Sequence, residues 1–249
     1  MDEIRREEND IFNERYLRQL RIPGWDQKKI RGSSVLIAGV GGLGSVTATY
    51  LAVAGVGRLM LCDPGIIERS NLNRQILYTE VSIGASKVEV ARARLRAANP
   101  EAEIEICNDL IKEDNIEKIA EGCDIIVDGL DNQEGRFLLN DFTVKKKLPF
   151  VYGAVCAWEG IVGVFQQPRT ACLACVISPR RSFISGHSGS VVGTTSALIG
   201  AMQSAETLKI IMGMESCLLG KLLIVDTKCM RYDTINLEKN TECPICSNQ

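Results

Sequence analysis

The chain has 249 residues, enough for one large domain with a well-buried core, and its 45% hydrophobic and 24% charged content is that of an ordinary globular protein. Its 29 Lys and Arg nearly balance 31 Asp and Glu for a formal charge of −2, which argues against a broad nucleic-acid-binding face. The charged start "MDEIRREEND" does not read as a signal peptide and the apolar runs are too short or too polar for a membrane span, so a cytoplasmic location is expected.

In chain order, residues 1–31 read as a charged helical arm, with "NERYLRQL" helical and Leu17 and Leu20 on one face. "SSVLIAGV" (33–40) is an apolar strand ended by glycine, "GLGSVTATYLAVAG" (42–55) a helix packed closely on it, and "GRLMLCD" (57–63) a second strand. "GASKVEVARARLRAANP" (84–100) is an amphipathic helix that buries Val88, Ala91 and Leu95 and turns Arg92, Arg94 and Arg96 to solvent. "EIEIC" (103–107), "CDIIVDGLD" (123–131) and "LPFVYGAV" (148–155) are further strands, separated by helices in "IKEDNIEKIAEG" and "NQEGRFLLNDFTVKKK". Past residue 155 the pattern changes. "EGIVGVFQQ" and "KLLIVDTKCMRYDTINLE" are strands suited to antiparallel pairing, with a Gly/Ser-rich crossover loop (178–190) and a long helix (about 191–213) between them. The expected fold is α/β: a Rossmann-like mixed sheet, parallel in its N-terminal half and antiparallel at the end, with helices on both faces. No linker divides the chain, so residues 1–249 are expected to form a single domain.

"GVGGLG" puts Gly39, Gly41 and Gly44 in G-x-G-x-x-G register between a strand and a helix, with Gly42 completing the loop. Glycines there allow a tight turn, close approach of backbone to phosphate, and contact of helix with strand, while the helix N-terminus offers free N–H groups to an anion. Asp63 follows Gly39 by 24 positions, close to the spacing of a ribose-binding acid. The loop alone does not distinguish ATP from NAD. The residues after it do: Asn71, Arg74, Gln75, Lys87 and, at the end of a later strand, Asp131 make a charged cluster. Two cations and an acid suit a triphosphate with Mg2+ better than a flat nicotinamide, because Arg74 and Lys87 can hold phosphate oxygens and Asp131 the hard cation.

Ten cysteines in a reducing compartment do not suggest a disulfide framework. Six (Cys62, Cys107, Cys123, Cys156, Cys217, Cys229) read as buried small hydrophobes. The other four form two C-x-x-C knuckles, Cys172 with Cys175 and Cys243 with Cys246, and predict a closed, structural four-thiolate Zn2+ site. The 67 residues between the knuckles exceed the spacing of a zinc ribbon, so the metal would staple the start of the crossover loop to the C-terminal end. Redox activity of the pairs is the alternative.

"RYLRQ", "GVGGLG", "NLNRQ", "SKVE", "GLDN", "CLAC" and "CPIC" together resemble the MoeB/ThiF/HesA family, relatives of ubiquitin-activating enzymes, over nearly the whole chain. The motif set is most like that of the molybdopterin-synthase adenylyltransferases. The resemblance implies ATP-dependent adenylation of the C-terminal glycine carboxylate of a small ubiquitin-like sulfur-carrier protein ending in Gly-Gly. Pyrophosphate is released, and the product serves sulfur transfer in molybdopterin, thiamine or tRNA-thiolation pathways, with a sulfurtransferase as a further partner. It also implies a homodimer in which Arg18 reaches the partner's site, with Asp63 on the ribose, Asn71, Arg74 and Lys87 on phosphates, and Asp131 on magnesium. Some relatives carry a thiol in the crossover loop where this chain has Gly186, beside its one histidine, His187, so a covalent carrier link is in doubt. His187 reads as a loop residue. Other functions compatible with the sequence are activation of a small-molecule, peptide or tRNA-bound carboxylate, NAD-dependent oxidoreduction, and an inactive scaffold.

Overall fold

A computed structural model describes residues 14–177 and 190–247. The strands are β1 (Ser34–Ala38), β2 (Arg58–Cys62), β3 (Glu103–Cys107), β4 (Ile125–Asp128), β5 (Phe150–Cys156), β6 (Glu159–Phe165), β7 (Lys221–Asp226) and β8 (Arg231–Asn236). They form one sheet in the order β3-β2-β1-β4-β5-β6-β7-β8. Pairing is parallel from β3 through β5 and antiparallel from β5 through β8, the mixed arrangement expected from the change of pattern after residue 155. The run 221–238 is a hairpin of two strands, turned between Asp226 and Arg231.

The helices are α1 (residues 14–20 of it described), α2 (Gln27–Arg31), α3 (Gly42–Ala54), α4 (Lys87–Ala98), α5 (Ile116–Ile119), α6 (Gln133–Lys146), α7 (Leu173–Val176) and α8 (Gly193–Met212). Two hydrophobic cores lie on opposite faces of the sheet. Val35 and Ile37 of β1 join Leu51 of α3, Val88 and Leu95 of α4 and Ile199 of α8 on one face. Leu36 and Ala38 join Ile116 of α5, Leu139 and Phe142 of α6 and Leu173 of α7 on the other. The strand period of two thus feeds both cores, each fully buried aliphatic or aromatic side chain contributing roughly 1.5–3 kcal/mol.

Several boundaries differ from the sequence expectation. β4 stops at Asp128, because the following residues turn to place loop groups rather than continue the ladder. The helix expected over 111–122 is a single turn. Leu17 and Leu20 of α1 are exposed; the helix is held by Tyr16, 1% exposed, whose hydroxyl accepts from Asn99 Nδ2 at 2.8 Å. Of the six scattered cysteines, Cys62 and Cys123 are buried as expected, Cys107 and Cys156 are partly exposed, and Cys217 and Cys229 are exposed, since they lie in turns. Among the described residues no helix is long and apolar enough to cross a membrane.

Candidate active site

The C-terminal ends of β1, β2 and β4 open onto one crevice, where an open α/β sheet holds its ligand. Gly39 turns the chain at φ 88°, and a side chain on Gly44 would stand 1.9 Å from the Gly39 carbonyl oxygen. Glycine is required at both: a positive φ at the first, and contact of helix with loop at the second. The loop is tied to β2 by Asp63, only 8% exposed, whose Oδ2 accepts from Val40 N at 2.8 Å and Oδ1 from Gly65 N at 2.7 Å. Tyr78, which sequence reasoning missed, donates its hydroxyl to Val40 O at 2.8 Å.

Three long helices begin around the segment from Asp63 to Gln75. At the first turn of α3, the point a Gly42 side chain would occupy lies 3.6 Å from Arg74 Cδ. At the first turn of α8, Gly193 packs on the Asn73 carbonyl and the Arg74 backbone. At the first turn of α4, Lys87 Nζ and Asp63 Oδ1 both come within 3.1 Å of the position of a Gly65 side chain. None of these three helices has a side-chain N-cap, whereas Asn132 caps α6 by accepting from Gly135 N and Asp26 caps α2. The positive dipole ends of three helices therefore lie along this segment; Lys87 N donates to Gly65 O and Thr195 N to Val192 O, and the first-turn N–H groups of α3 have no side-chain acceptor.

The predicted site residues divide. Lys87 and Arg74 are both partly exposed, and neither has an ion-pair partner among the described residues. Arg74 Nη1 instead donates to the neutral oxygens Ser70 O at 2.9 Å and Asn73 Oδ1 at 3.1 Å. Asp131 is exposed just past β4, within 3.5 Å of Asn132 Nδ2. Asn71 is buried and spends its Oδ1 on Glu68 N, and Gln75 lies under the loop, with Nε2 3.9 Å from the position of a Gly41 side chain. The side-chain Oε1 of Gln75 is buried without a hydrogen-bond partner among the described residues. Arg18 stands exposed on α1, apart from these groups in the single chain. Gly186 and His187 lie outside the described residues.

Sequence reasoning also missed two features near Asp131. Asp128 at the end of β4 is fully buried against Arg136 of α6, and the pair fastens the loop between them. A groove of about 960 Å3 runs between residues 110–117 and α6; its lining includes Leu110, Ile111, Phe137, Phe142 and Asn132. No motif marks a groove formed between elements distant in sequence.

The four paired cysteines converge: their sulfurs all lie within 4.8 Å of one another. Three of the separations are 3.4 Å (Cys175 to Cys246), 3.7 Å (Cys172 to Cys243) and 3.9 Å (Cys172 to Cys175). These are too long for disulfides at about 2.05 Å and match the edge of roughly 3.8 Å of a tetrahedron with metal–sulfur bonds of about 2.3 Å. The cluster is able to hold a metal ion. Burial raises the Cys172 thiol, and burial with neighbouring thiols takes Cys246 up to about 11, so an incoming cation would displace protons.

Residues 16–245 match the model of the ThiF family. The chain belongs to the ThiF family. Over 242 residues it is 39% identical to the adenylyltransferase and sulfurtransferase MOCS3 of Drosophila yakuba, covering 94% of this chain and 53% of that protein. The chain thus spans about half the length of its MOCS3 relatives. It is 34% identical to the heterocyst protein HesA of Trichormus variabilis, covering 94% of this chain and 89% of HesA. Among solved structures, E. coli MccB superposes with a TM-score of 0.79 at 23% identity, covering 89% of this chain and 69% of MccB. PaaA superposes with a TM-score of 0.73 at 23% identity, covering 86% and 67%. The fold of this ThiF-family chain is thus shared with MccB and PaaA.

Proposed function

We propose that the protein is an adenylyltransferase that joins AMP to the terminal carboxylate of a small carrier protein ending in Gly-Gly. The observation that carries this is that three helices without side-chain N-caps begin along the segment from Asp63 to Gln75, with Lys87 beside Asp63 at Gly65 and Arg74 at the starts of α3 and α8, neither cation ion-paired among the described residues. That much fixed positive potential suits a polyphosphate and exceeds what a nicotinamide needs. The names of relatives agree: MOCS3 is called an adenylyltransferase, and MccB has been solved with ATP.

In this reading Asp63 takes the ribose, the Gly39–Gly44 loop and Asn71 lie along the phosphates, and Arg74 and Lys87 neutralise their charge, with Gln75 beneath the loop. Asp131 suits Mg2+, which is often held by one or two carboxylates plus substrate phosphates and neutralises their charge. A carboxylate oxygen attacks the α-phosphorus, a new acyl–phosphate bond forms, and the bond to the bridging oxygen of pyrophosphate breaks. The carboxylate is already ionised, so positioning and electrostatic stabilisation suffice without a general base. Arg18 completes the site of the partner in a homodimer, the four cysteines hold a structural Zn2+, and a sulfurtransferase receives the acyl-adenylate in the cytoplasm.

Pyrophosphate exchange into ATP tests this. Exchange that depends on a Gly-Gly carrier supports the proposal. Exchange with a peptide or small acid alone would assign a different carboxylate, and NAD reduction without exchange would overturn the reading.

A further inference from the structure

Buried hydroxyls in the helices are spent on carbonyls one turn back, as the geometry of a helix favours. Thr47 donates to Leu43 O, Thr143 to Leu139 O, Ser204 to Gly200 O and Thr207 to Gln203 O, at 2.8–3.2 Å. Ser196, in the first turn of α8, does not. It is 1% exposed and its Oγ is buried without a hydrogen-bond partner among the described residues. The hydroxyl stands 3.1 Å from the point a Gly42 side chain would occupy, and Arg74 Cδ lies 3.6 Å from that point. Three things therefore meet at Gly42 of the phosphate loop: a buried donor and the arm of an arginine, neither paired among the described residues, and the N-terminus of a 20-residue helix that has no side-chain cap. A buried donor left unpaired is costly, and each of these features is answered by an anion.

We infer that Ser196 is a nucleotide-binding residue whose hydroxyl donates to the leaving pyrophosphate end of bound ATP, an inference that rests on the nucleotide reading above. Asp63 and Lys87 meet at Gly65, and Gly42, Arg74 and Ser196 form a separate group. A nucleotide anchored by its ribose at Asp63 extends its outer phosphates toward α8. To take one up, Arg74 exchanges its two neutral acceptors for phosphate oxygens, which uncovers the hydroxyl. A fixed neutral donor there stabilises the charge that builds on pyrophosphate as the bond to the α-phosphorus breaks.

Calorimetry with Mg·ATP, pyrophosphate and AMP on Ser196→Ala separates this from a packing role. The expected result is about a tenfold loss of affinity for Mg·ATP and for pyrophosphate, the value of one hydrogen bond to a charged group, with AMP affinity and melting temperature unchanged. Ser196→Gly must give the same loss for Mg·ATP and pyrophosphate with AMP affinity unchanged, its melting temperature falling only by the cost of a helix glycine. ATP and AMP weakening together, neither weakening, or only the KM of the carboxylate substrate rising would each overturn the assignment. Absence of Mg·ATP binding by the unmodified protein would remove the nucleotide reading itself, and this inference with it.

Discussion

Arg136 Nε donates to Asp128 Oδ2 at 3.0 Å where neither side chain meets much water, 10% and 0% exposed respectively. Arg136 Nη2 also donates to Leu130 O at 2.7 Å, and Asp128 Oδ1 accepts from Leu130 N at 2.9 Å. The pair thus clamps both polar atoms of the Leu130 backbone and sets the direction of the next residue, Asp131. Removing one partner leaves a buried charge alone, so Arg136→Ala should cost about 3–5 kcal/mol in urea unfolding. Replacing both by apolar residues of similar volume should cost less, and that comparison measures the pairing.

Lys87→Ala and Asp131→Ala remove solvent-facing groups and should leave the melting temperature near that of the parent. Each should lower carrier-dependent exchange by about 10²–10³-fold, the usual cost of deleting one preorganised charge-stabilising group. Normal turnover in either variant would contradict its place in the site.

Arg18 is exposed on α1, which packs against the C-terminal ends of α3 and α4 through Gln19 to Ala54 O and Arg15 to Ala98 O, whereas the site lies at their N-terminal ends, so its proposed role requires a second chain. Arg18→Ala and Asp131→Ala homodimers should both be inactive. Mixing them should restore activity through the sites that combine an intact Arg18 with an intact Asp131. Verified heterodimers that stay inactive would exclude the reach across the interface.

Metal analysis should find one Zn2+ per chain, lost in Cys175→Ser. Zinc binding contributes about 10 kcal/mol or more to folding in isolated fingers, but here the cysteines pack in a small cluster of their own, apart from the two cores of the eight-stranded sheet. The loss should therefore appear as faster hydrogen exchange in residues 172–176 and 243–246 rather than as global unfolding.

A pH effect follows from Arg58, whose Nη2 meets Glu105 Oε2 at 2.8 Å. The hydrogen bond from Arg58 holds the Glu105 carboxyl below its ordinary value in the folded chain. Its stabilisation is fully present above the unfolded pKa of about 4.3 and is lost as pH falls through the lowered folded value. Glu105→Gln should therefore be less stable than the parent at pH 7, and the gap should narrow below pH about 4 in denaturant melts.

Much of this was readable before any coordinates. The glycine loop was legible because backbone conformation there excludes other residues, as the contact between Gly44 and the Gly39 carbonyl makes plain. The knuckles were legible because two thiolates three residues apart suit one metal. Ser196 was not: a serine in a polar stretch carries no signal until Gly42 and Arg74 are brought against it. Leu17 and Leu20 lie on a helix as their spacing implies, but helical periodicity locates a face without saying what covers it, and here both are exposed while Tyr16 is buried.

Local rules acting within a few residues determined the alternation of strand and helix, the loop and the cysteine pairs, since backbone sterics and hydrophobic period are written along the chain. The sheet order, the buried Asp128–Arg136 clamp and the meeting of two helix starts at Arg74 and of a third at Gly65 were decided only when distant segments packed. Burial and electrostatic focusing are properties of that assembled interior, where removal of water gives an unpaired donor or a charge its weight.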